Sequence, residues 1–192
     1  MKLEALETAR LRIRQFSLDD LDNCLRFRRE VFGVDDGEAN AQRWLTWTID
    51  SYRELAGLGQ PPYADYAVER RGDGCFVGAV GIVPTVVPWG ALRGEPSDAL
   101  LSPEIGLFWG IMPACRRRGY AGEAAAALLD YLFTELKARQ VVATTERDNI
   151  ASQRVMEKLG MTLLHSPTAE PRWRQVVGLI QHPRVGKRVA PN

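Results

Sequence analysis

The 192-residue chain is long enough to bury one substantial core, and its 45% hydrophobic and 26% charged residues are typical of a soluble globular protein. These values exclude a disordered chain and a disulfide-stapled scaffold, and a formal net charge of +1 excludes a strong global field for nucleic acid or anionic lipid. We therefore expect a single domain over residues 1–192, in which a local cluster of charges holds any anionic ligand.

The cysteines, the histidines and the N-terminal residues limit the location and the chemistry. The cysteines are odd in number, lie far apart and lack zinc-ligand spacing: Cys24, Cys75 and Cys115. His165 and His182 have no cysteine or carboxylate at ligand spacing. Residues 1–14 carry charges throughout, and no apolar run approaches the roughly 20 residues of a membrane span. We therefore expect a cytoplasmic protein with reduced thiols and no metal.

The N-terminal residues predict a strand followed by a helix. Leu11 and Ile13 alternate as in a short strand. Ser17 and Asp20 then have the spacing of a capping box, which predicts that a helix begins here and continues towards Phe32.

An aromatic-rich helix and a hairpin follow in the predicted order. The helical stretch ends at residues 57–62 and contains Trp44, Leu45, Trp47, Ile49 and Tyr52. Residues 63–69 and 75–83 are β-rich runs on either side of an Asp-Gly turn, which predicts an antiparallel hairpin.

Residues 84–103 contain four prolines and two glycines with little periodicity. This composition predicts a long excursion between strands rather than a linker between domains. Long excursions inside a compact domain are often functional, so we interpret this one either as a cover over a substrate site or as a dimer contact.

The second half of the chain predicts further strands and helices. Met112 and Pro113 end an apolar strand, and Gly160 ends the last helix. In chain order the elements are a strand over 104–111, a helix over 122–138, a strand over 141–145, a helix over 149–159, and strands over 161–165 and 173–180. The order predicts an α/β or α+β fold with a mixed central sheet.

A basic, glycine-containing turn connects the strand over 104–111 to the helix that follows it. Its residues are Arg116, Arg117, Arg118, Gly119, Tyr120, Ala121 and Gly122. Unpaired backbone N–H groups and the positive helix end converge at such a turn, and the small residues let phosphate oxygens reach the backbone. The pattern therefore favours a diphosphate site, although three arginines before a glycine are also typical of a solvated helix entry.

The turn resembles the cofactor motif of the GNAT superfamily of N-acetyltransferases, Q/R-x-x-G-x-G/A, with Arg116, Gly119 and Ala121 in the defined positions. Residues 104–107 and 149–161 look like the matching segments of the RimJ/RimL-type branch. The segment Thr8-Ala9-Arg10-Leu11-Arg12-Ile13-Arg14 looks like its first strand. The similarity covers about residues 8–180, apart from 84–103.

The resemblance implies a GNAT-like mixed, mostly antiparallel, splayed central sheet flanked by helices, with acetyl-CoA as cosubstrate. The pantetheine arm is expected to pair with the strand that ends at Ile111 and Met112, and the pyrophosphate to lie on residues 116–122. Asn149 is expected to orient the pantetheine or a water, and Ser152 to lie near the thioester sulfur. Asn149 could cap its helix at the same time.

The resemblance also implies candidates for proton transfer. Glu104 matches a frequent glutamate of the family and is our candidate base, acting through water. The alternative is that Glu104 is an edge carboxylate paired with an arginine. Many family members carry a tyrosine seven residues after the motif asparagine, where this chain has Met156. Ser152, a tyrosine from elsewhere or solvent is then left as the proton donor.

These expectations favour an N-acetyltransferase that transfers acetyl from acetyl-CoA to a primary amine by direct attack in a ternary complex. The acceptor is a protein N-terminus or a small amine, and the helical aromatics at 44–52 either line its entrance or form core. The alternative is a non-catalytic CoA-binding sensor or interaction module. We expect no nucleic-acid or membrane partner, and a homodimer is left open.

Overall fold

A computed structural model describes residues 3–93 and 101–185 of the chain. The strands are β1 (Ala5–Glu7), β2 (Leu11–Gln15), β3 (Ala64–Arg70), β4 (Phe76–Val87), β5 (Ser102–Ile111), β6 (Gln140–Thr145), β7 (Thr162–His165) and β8 (Val176–Gln181). The α-helices are α1 (Leu21–Phe32), α2 (Glu38–Gly57), α3 (Trp89–Arg93), α4 (Tyr120–Thr134) and α5 (Ile150–Lys158). Short 3-10 helices lie at Leu18–Asp20, Pro113–Cys115 and Arg172–Arg174.

The mixed, mostly antiparallel sheet predicted from the sequence is confirmed. Its strand order is β1-β2-β3-β4-β5-β6-β8-β7. Antiparallel ladders join β1 to β2, β2 to β3, β3 to β4, β6 to β8 and β7 to β8. The pairing of β5 with β6 is parallel and places Gly106 opposite Val142.

The chain forms two compact units, the first of which comprises Met1–Val83 and Phe108–Leu128. Its sheet pairs Ile13 with Val68 and Tyr66 with Val80. Helices α1 and α2 pack on a buried cluster of Phe16, Phe27, Leu45, Ala67, Ala79 and Met112. The small side chains of the two alanines allow the phenyl rings of α1 and of the preceding loop to lie close to the strands.

Local sequence explains where the helices of this unit begin and end. The Ser17 N–H donates to the Asp20 carboxylate at 2.9 Å, so the predicted capping box is confirmed. Gly33 ends α1 in the left-handed conformation, with φ of 68°. Helix α2 buries one stripe at helical spacing, which consists of Ala41, Leu45, Thr48 and Tyr52.

The second compact unit comprises Pro84–Leu107 and Leu129–Asn192. Strand β6 lies antiparallel to β8, with Ala143 opposite Gly178. Its core contains the buried residues Val87, Val142 and Val177, against which Trp89, Leu92, Leu164 and Leu179 pack. Gly178 lets the two methionine side chains pack closely on β8, because a Cβ at this position would lie only 3.0 Å from the sulfurs of Met156 and Met161.

The long excursion predicted over residues 84–103 is wrong for most of its length. Strand β4 continues to Val87, α3 follows, and β5 begins at Ser102. The prolines misled the prediction, because Pro84 is exposed while Thr85 and Val87 are buried, β-branched strand residues in alternation with exposed positions. Residues 94–100 lie outside the described part of the chain. The role predicted for the excursion, as a cover over a substrate site or as a dimer contact, stays a prediction.

Other sequence-based boundaries need smaller corrections. Strand β1 was not predicted, because three residues that include Glu7 carry no clear alternation. Helix α4 begins at Tyr120 and ends at Thr134 rather than spanning 122–138, and Lys137 beyond it has a positive φ of 53°. Across the described ranges, no helix has both the length and the apolar character needed to cross a bilayer.

Candidate functional site

The basic turn lies in the first unit, between the end of β5 and the start of α4. Pro113–Cys115 forms a single 3-10 turn, in which the Cys115 N–H donates to the Met112 carbonyl at 2.8 Å. The Arg116 Nε donates to the Ile111 carbonyl at 3.1 Å and so fixes the chain as it leaves the strand. The predicted sequence of strand, basic glycine turn and helix is present.

The turn has the backbone geometry of an anion site. Arg117 and Gly119 have positive φ angles of 62° and 82°. The first intrahelical bond of α4 runs from the Glu123 N–H to the Gly119 carbonyl at 3.1 Å. Among the described residues, the N–H groups of residues 117–119 have no hydrogen-bond partner, and the first N–H groups of a helix lack an intrahelical one. Several donors and the positive helix end are therefore open to an anionic ligand.

The three arginines give this turn a local positive charge. Arg116, Arg117 and Arg118 are all exposed. Arg116 is tied to the strand through its Nε, whereas the guanidinium groups of the other two have no partner within the described ranges. Tyr120 is buried, and Ala121 and Gly122 are partly exposed, with only open space around a Cβ added at Gly122. Small residues thus leave the approach to the helix start clear.

Ile111 and Met112, the predicted pantetheine contacts, are both buried. The Met112 N–H donates to the Val77 carbonyl at 2.9 Å, and its own carbonyl accepts from Cys115. The Ile111 carbonyl accepts from Arg116. The backbone of Met112 can therefore make a further hydrogen bond only through the second lone pair of its carbonyl oxygen.

Asn149 and Ser152 belong to the second unit, at the start of α5. The Asn149 Oδ1 accepts from the Ser152 N–H at 3.1 Å, so the helix-capping role of Asn149 is confirmed. The Asn149 amide nitrogen and the Ser152 hydroxyl have no hydrogen-bond partner in the part of the chain described. Both groups remain free to contact a ligand.

Glu104, also in the second unit, is engaged by two neutral donors. Its Oε1 accepts from the Trp89 Nε1 at 2.6 Å, and its Oε2 accepts from the Gln140 Nε2 at 2.8 Å. Within the described ranges the partners of Glu104 are an indole and an amide, not the arginine of the alternative interpretation. Each carboxylate oxygen keeps a second lone pair for a water or an ammonium group.

Several other residues named from the sequence have structural roles. Met156, at the position of the family's tyrosine, is fully buried. Its thioether has no proton to donate. Cys115 packs against the core of the first unit, as does Trp44, and Tyr52 is buried. Trp47 is 63% exposed. An open cleft of about 510 Å³ is lined by Arg28, Asp36, Asn40, Arg43, Trp44 and Trp47.

Two features were not predicted as functional from the sequence. Thr8 and Arg10 bind the side chain of Glu123 in the first turn of α4, and Arg10 also binds the carbonyl of Arg118. Asp65 on β3 is a carboxylate without a hydrogen-bond partner among the described residues. Within the same residues, no group of three or more histidine, cysteine or carboxylate side chains could hold a metal ion.

Known proteins resemble the chain, some of them over most of its length. The family model described as "Acetyltransferase (GNAT) domain" matches residues 10–162. The chain is 25% identical to the uncharacterized N-acetyltransferase YjdG of Bacillus subtilis, over 88% of this chain and 95% of that protein. It is 47% identical to YnaD of the same organism, over 30% of this chain and 33% of YnaD. It is 29% identical to the FsC-acetyl coenzyme A-N(2)-transacetylase of Aspergillus fumigatus, over 82% of this chain and 64% of that protein.

Solved structures share the fold at low sequence identity. The ribosomal-protein-S5-alanine acetyltransferase of Vibrio fischeri aligns with a TM-score of 0.70 at 10% identity, over 93% of this chain and 97% of that one. RimL, the ribosomal L7/L12 α-N-protein acetyltransferase in complex with coenzyme A, aligns with a TM-score of 0.63 at 12% identity, over 93% of this chain and 98% of RimL. The family match spans the basic turn and the strands and helices that carry it. The chain belongs to the GNAT family of acetyltransferases.

Proposed function

We propose that this GNAT protein is an acetyl-CoA-dependent N-acetyltransferase that acetylates a primary amine by direct attack in a ternary complex. The observation that carries the proposal is the turn at 116–122, where open backbone N–H groups, three arginines and a helix start lie inside the segment matched by the family. These groups are suited to a diphosphate, which coenzyme A contains. The cytoplasm is its expected location.

The residues of the turn fit the diphosphate of coenzyme A in charge and in the open backbone N–H groups they offer. The N–H groups of residues 117–122 would hold the pyrophosphate, and Arg117 and Arg118 would add charge in a protein whose net charge is only +1. The strand end at Ile111 and Met112 would line the pantetheine arm. Bound acetyl-CoA supplies an acetyl thioester, so the protein must orient the amine, deprotonate it and protonate the leaving thiolate.

We assign these proton transfers to residues of the second unit. Glu104 accepts a proton from the incoming ammonium through a water, using the lone pairs that Trp89 and Gln140 leave open. Asn149 orients the pantetheine amide or a water with its free amide nitrogen. Ser152 would relay a proton from solvent to the leaving thiolate and so keep its own hydroxyl, because Met156 offers no hydroxyl in the place of the family's tyrosine.

The acceptor is a protein N-terminus or a small amine. The relatives include acetyltransferases named for ribosomal proteins and a transacetylase named for FsC, and these names do not select one acceptor class. We favour the RimJ/RimL-type branch on the sequence segments 104–107 and 149–161.

Calorimetric titration with acetyl-CoA and coenzyme A, followed by thiol release against amines and N-terminal peptides, tests this function. We expect a micromolar Kd and release with one class of amine. Binding without release would favour the non-catalytic CoA-binding module, whereas absence of binding would overturn the proposal.

Gly119→Trp tests whether the turn is the binding element. A side chain at φ of 82° is strained, and the indole would cover the open N–H groups, so we expect acetyl-CoA affinity to fall at least tenfold. Gly59→Trp is the matched control, because Gly59 also has a positive φ, of 67°, and lies in the turn after α2. An equal loss in both variants would assign the effect to general backbone strain.

Glu104→Gln tests the base. We expect the Kd for acetyl-CoA to stay within about twofold, while kcat/KM at neutral pH falls roughly 100-fold or more. Trp89→Phe is the control, since it removes one hydrogen bond but keeps the carboxylate. A comparable loss of kcat/KM in Trp89→Phe would show that Glu104 has a structural role. Activity of Glu104→Gln equal to that of the wild type across pH would remove Glu104 from the mechanism.

A further inference from the structure

The N-terminal segment makes a dense set of polar contacts with the start of α4. The Thr8 Oγ1 and the Arg10 N–H donate to Glu123 Oε1 at 2.5 and 2.9 Å. The Arg10 Nε and Nη2 contact Glu123 Oε2 at 2.7 and 2.6 Å. All these groups belong to the first unit. We call the set of Thr8, Arg10 and Glu123 the clasp.

Arg10 also contacts the basic turn directly. Its Nη1 donates to the Arg118 carbonyl at 3.0 Å, and its guanidinium lies over the Tyr120 ring, 5.0 Å from the centroid. Its Nη2 would lie 3.3 Å from a Cβ added to Gly119. One guanidinium therefore bridges a helix side chain and the backbone of the turn.

The contact with Arg118 fixes the orientation of a peptide group. The carbonyl of Arg118 and the N–H of Gly119 belong to the same trans peptide plane and point in opposite directions. Because Arg10 holds the carbonyl, the Gly119 N–H points away from Arg10. That N–H has no partner in the described part of the chain, so it is oriented without being occupied.

The clasp also neutralises an unfavourable charge. Glu123 lies in the first turn of α4, where a free carboxylate would oppose an anionic ligand. Partial burial alone raises the pKa of Glu123, but the hydrogen bonds from Thr8 and Arg10 and the charge of Arg10 outweigh it and lower the pKa. Glu123 is thus an anchored anion whose charge Arg10 balances.

We propose that Arg10, held by Thr8 and Glu123, is a positioning residue that presets the Gly119 peptide for the cofactor pyrophosphate. This inference rests on the proposed function for its ligand. Arg10 acts through the turn rather than on the reacting atoms. Its removal should therefore weaken acetyl-CoA binding and leave the chemical step largely unchanged.

The test compares Arg10→Met with Arg12→Met. Arg12 is an exposed arginine on β2, two residues after Arg10, with no ion pair or hydrogen bond to its side chain among the described residues, so it controls for the loss of one positive charge. We expect Arg10→Met to raise the Kd and the KM for acetyl-CoA about tenfold, which is about 1.4 kcal/mol, with kcat and the acceptor KM within about twofold. Unchanged binding in Arg10→Met, or an equal loss in Arg12→Met, would overturn the inference.

Arg10→Lys separates orientation from charge. A lysine can pair with Glu123 but lacks the planar fork that reaches Arg118 at the same time, so we expect it to restore little of the affinity. Full rescue by lysine would show that charge alone matters and would overturn the orienting role.

A measurement without cofactor keeps this inference separate from the proposed function. In ligand-free protein we expect the 15N order parameter of Gly119 to fall from about 0.85, typical of rigid backbone, to a clearly lower value in Arg10→Met but not in Arg12→Met. A wild-type protein that fails to bind acetyl-CoA would overturn the function. An order parameter that is the same in all variants would overturn the clasp.

Discussion

Asp65 becomes partly buried on folding without gaining a hydrogen-bond partner for its carboxylate among the described residues. It lies on β3 directly opposite Gly81, and a Cβ on that glycine would collide with Asp65 Oδ1. The neighbouring Tyr52 hydroxyl donates to the Asp65 carbonyl rather than to its carboxylate. Burial raises the pKa of Asp65 to about 7. The glycine therefore provides the space that the carboxylate occupies.

We predict that wild-type stability falls as pH rises from about 4 to about 7 through this residue. The unfolded chain loses the Asp65 proton near pH 3.8, whereas the folded chain keeps it until about pH 7, so the unfolded state binds fewer protons in this window. Asp65→Asn should remove the penalty and stabilise the protein at pH 8 by on the order of 2–4 kcal/mol, with little change at pH 4.

Urea unfolding at both pH values measures this effect. Asp130→Asn, at an exposed position on α4, controls for the loss of one negative charge. A stability difference between Asp65→Asn and wild type that is the same at pH 4 and pH 8 would contradict the predicted window. The sequence could have indicated this residue, because Asp65 stands between Ala64 and Tyr66 in the first half of the strand, but it gives no sign of the missing partner.

At the scale of single elements, Asn149 connects the stability of α5 with its proposed role towards the pantetheine. Its Oδ1 caps the helix, while its amide nitrogen is left for a ligand. Asn149→Ala should lose about 1 kcal/mol of stability together with activity. Asn149→Asp keeps the capping oxygen and should lose activity alone.

Thermal unfolding and steady-state kinetics on both Asn149 variants distinguish the two roles. Ser152→Ala leaves the capping N–H in place and provides the matched control for the cap. An Asn149→Asp variant with wild-type kcat/KM would restrict Asn149 to capping.

The main elements could be predicted from the sequence where a single periodicity governs them. The alternation of β2 gave this strand within a few residues, and the aromatic-rich run at 44–52 correctly indicated α2, although the helix begins earlier, at Glu38. Prediction failed where proline count was weighed above alternation, as at Thr85 to Val87, and where a strand is only three residues long, as in β1. Such short segments take their structure from the ladder they join.

At the scale of the whole molecule, the contacts that define the candidate site are those that a linear sequence does not display. The turn at 116–122 could be predicted because its donors are consecutive. The bond from Arg10 to Glu123 joins residues 113 positions apart, and the bond from Gln140 to Glu104 joins residues 36 positions apart. The sequence named Glu104 but not its two described partners, Trp89 and Gln140, since many donors can satisfy one carboxylate.

Cofactor binding should also be visible in the stability of the whole protein. A ligand that binds only the folded state adds about 2.7 kcal/mol at 100 times its Kd, which for a protein of this size raises Tm by roughly 5–10 °C. Differential scanning fluorimetry should show this rise with both acetyl-CoA and coenzyme A, and it should grow with the logarithm of ligand concentration. Adenosine lacks the diphosphate and should give no comparable rise. Because the donors of the turn supply the binding energy, Gly119→Trp should reduce the rise while Gly59→Trp keeps it, and an undiminished rise in Gly119→Trp would place the diphosphate elsewhere.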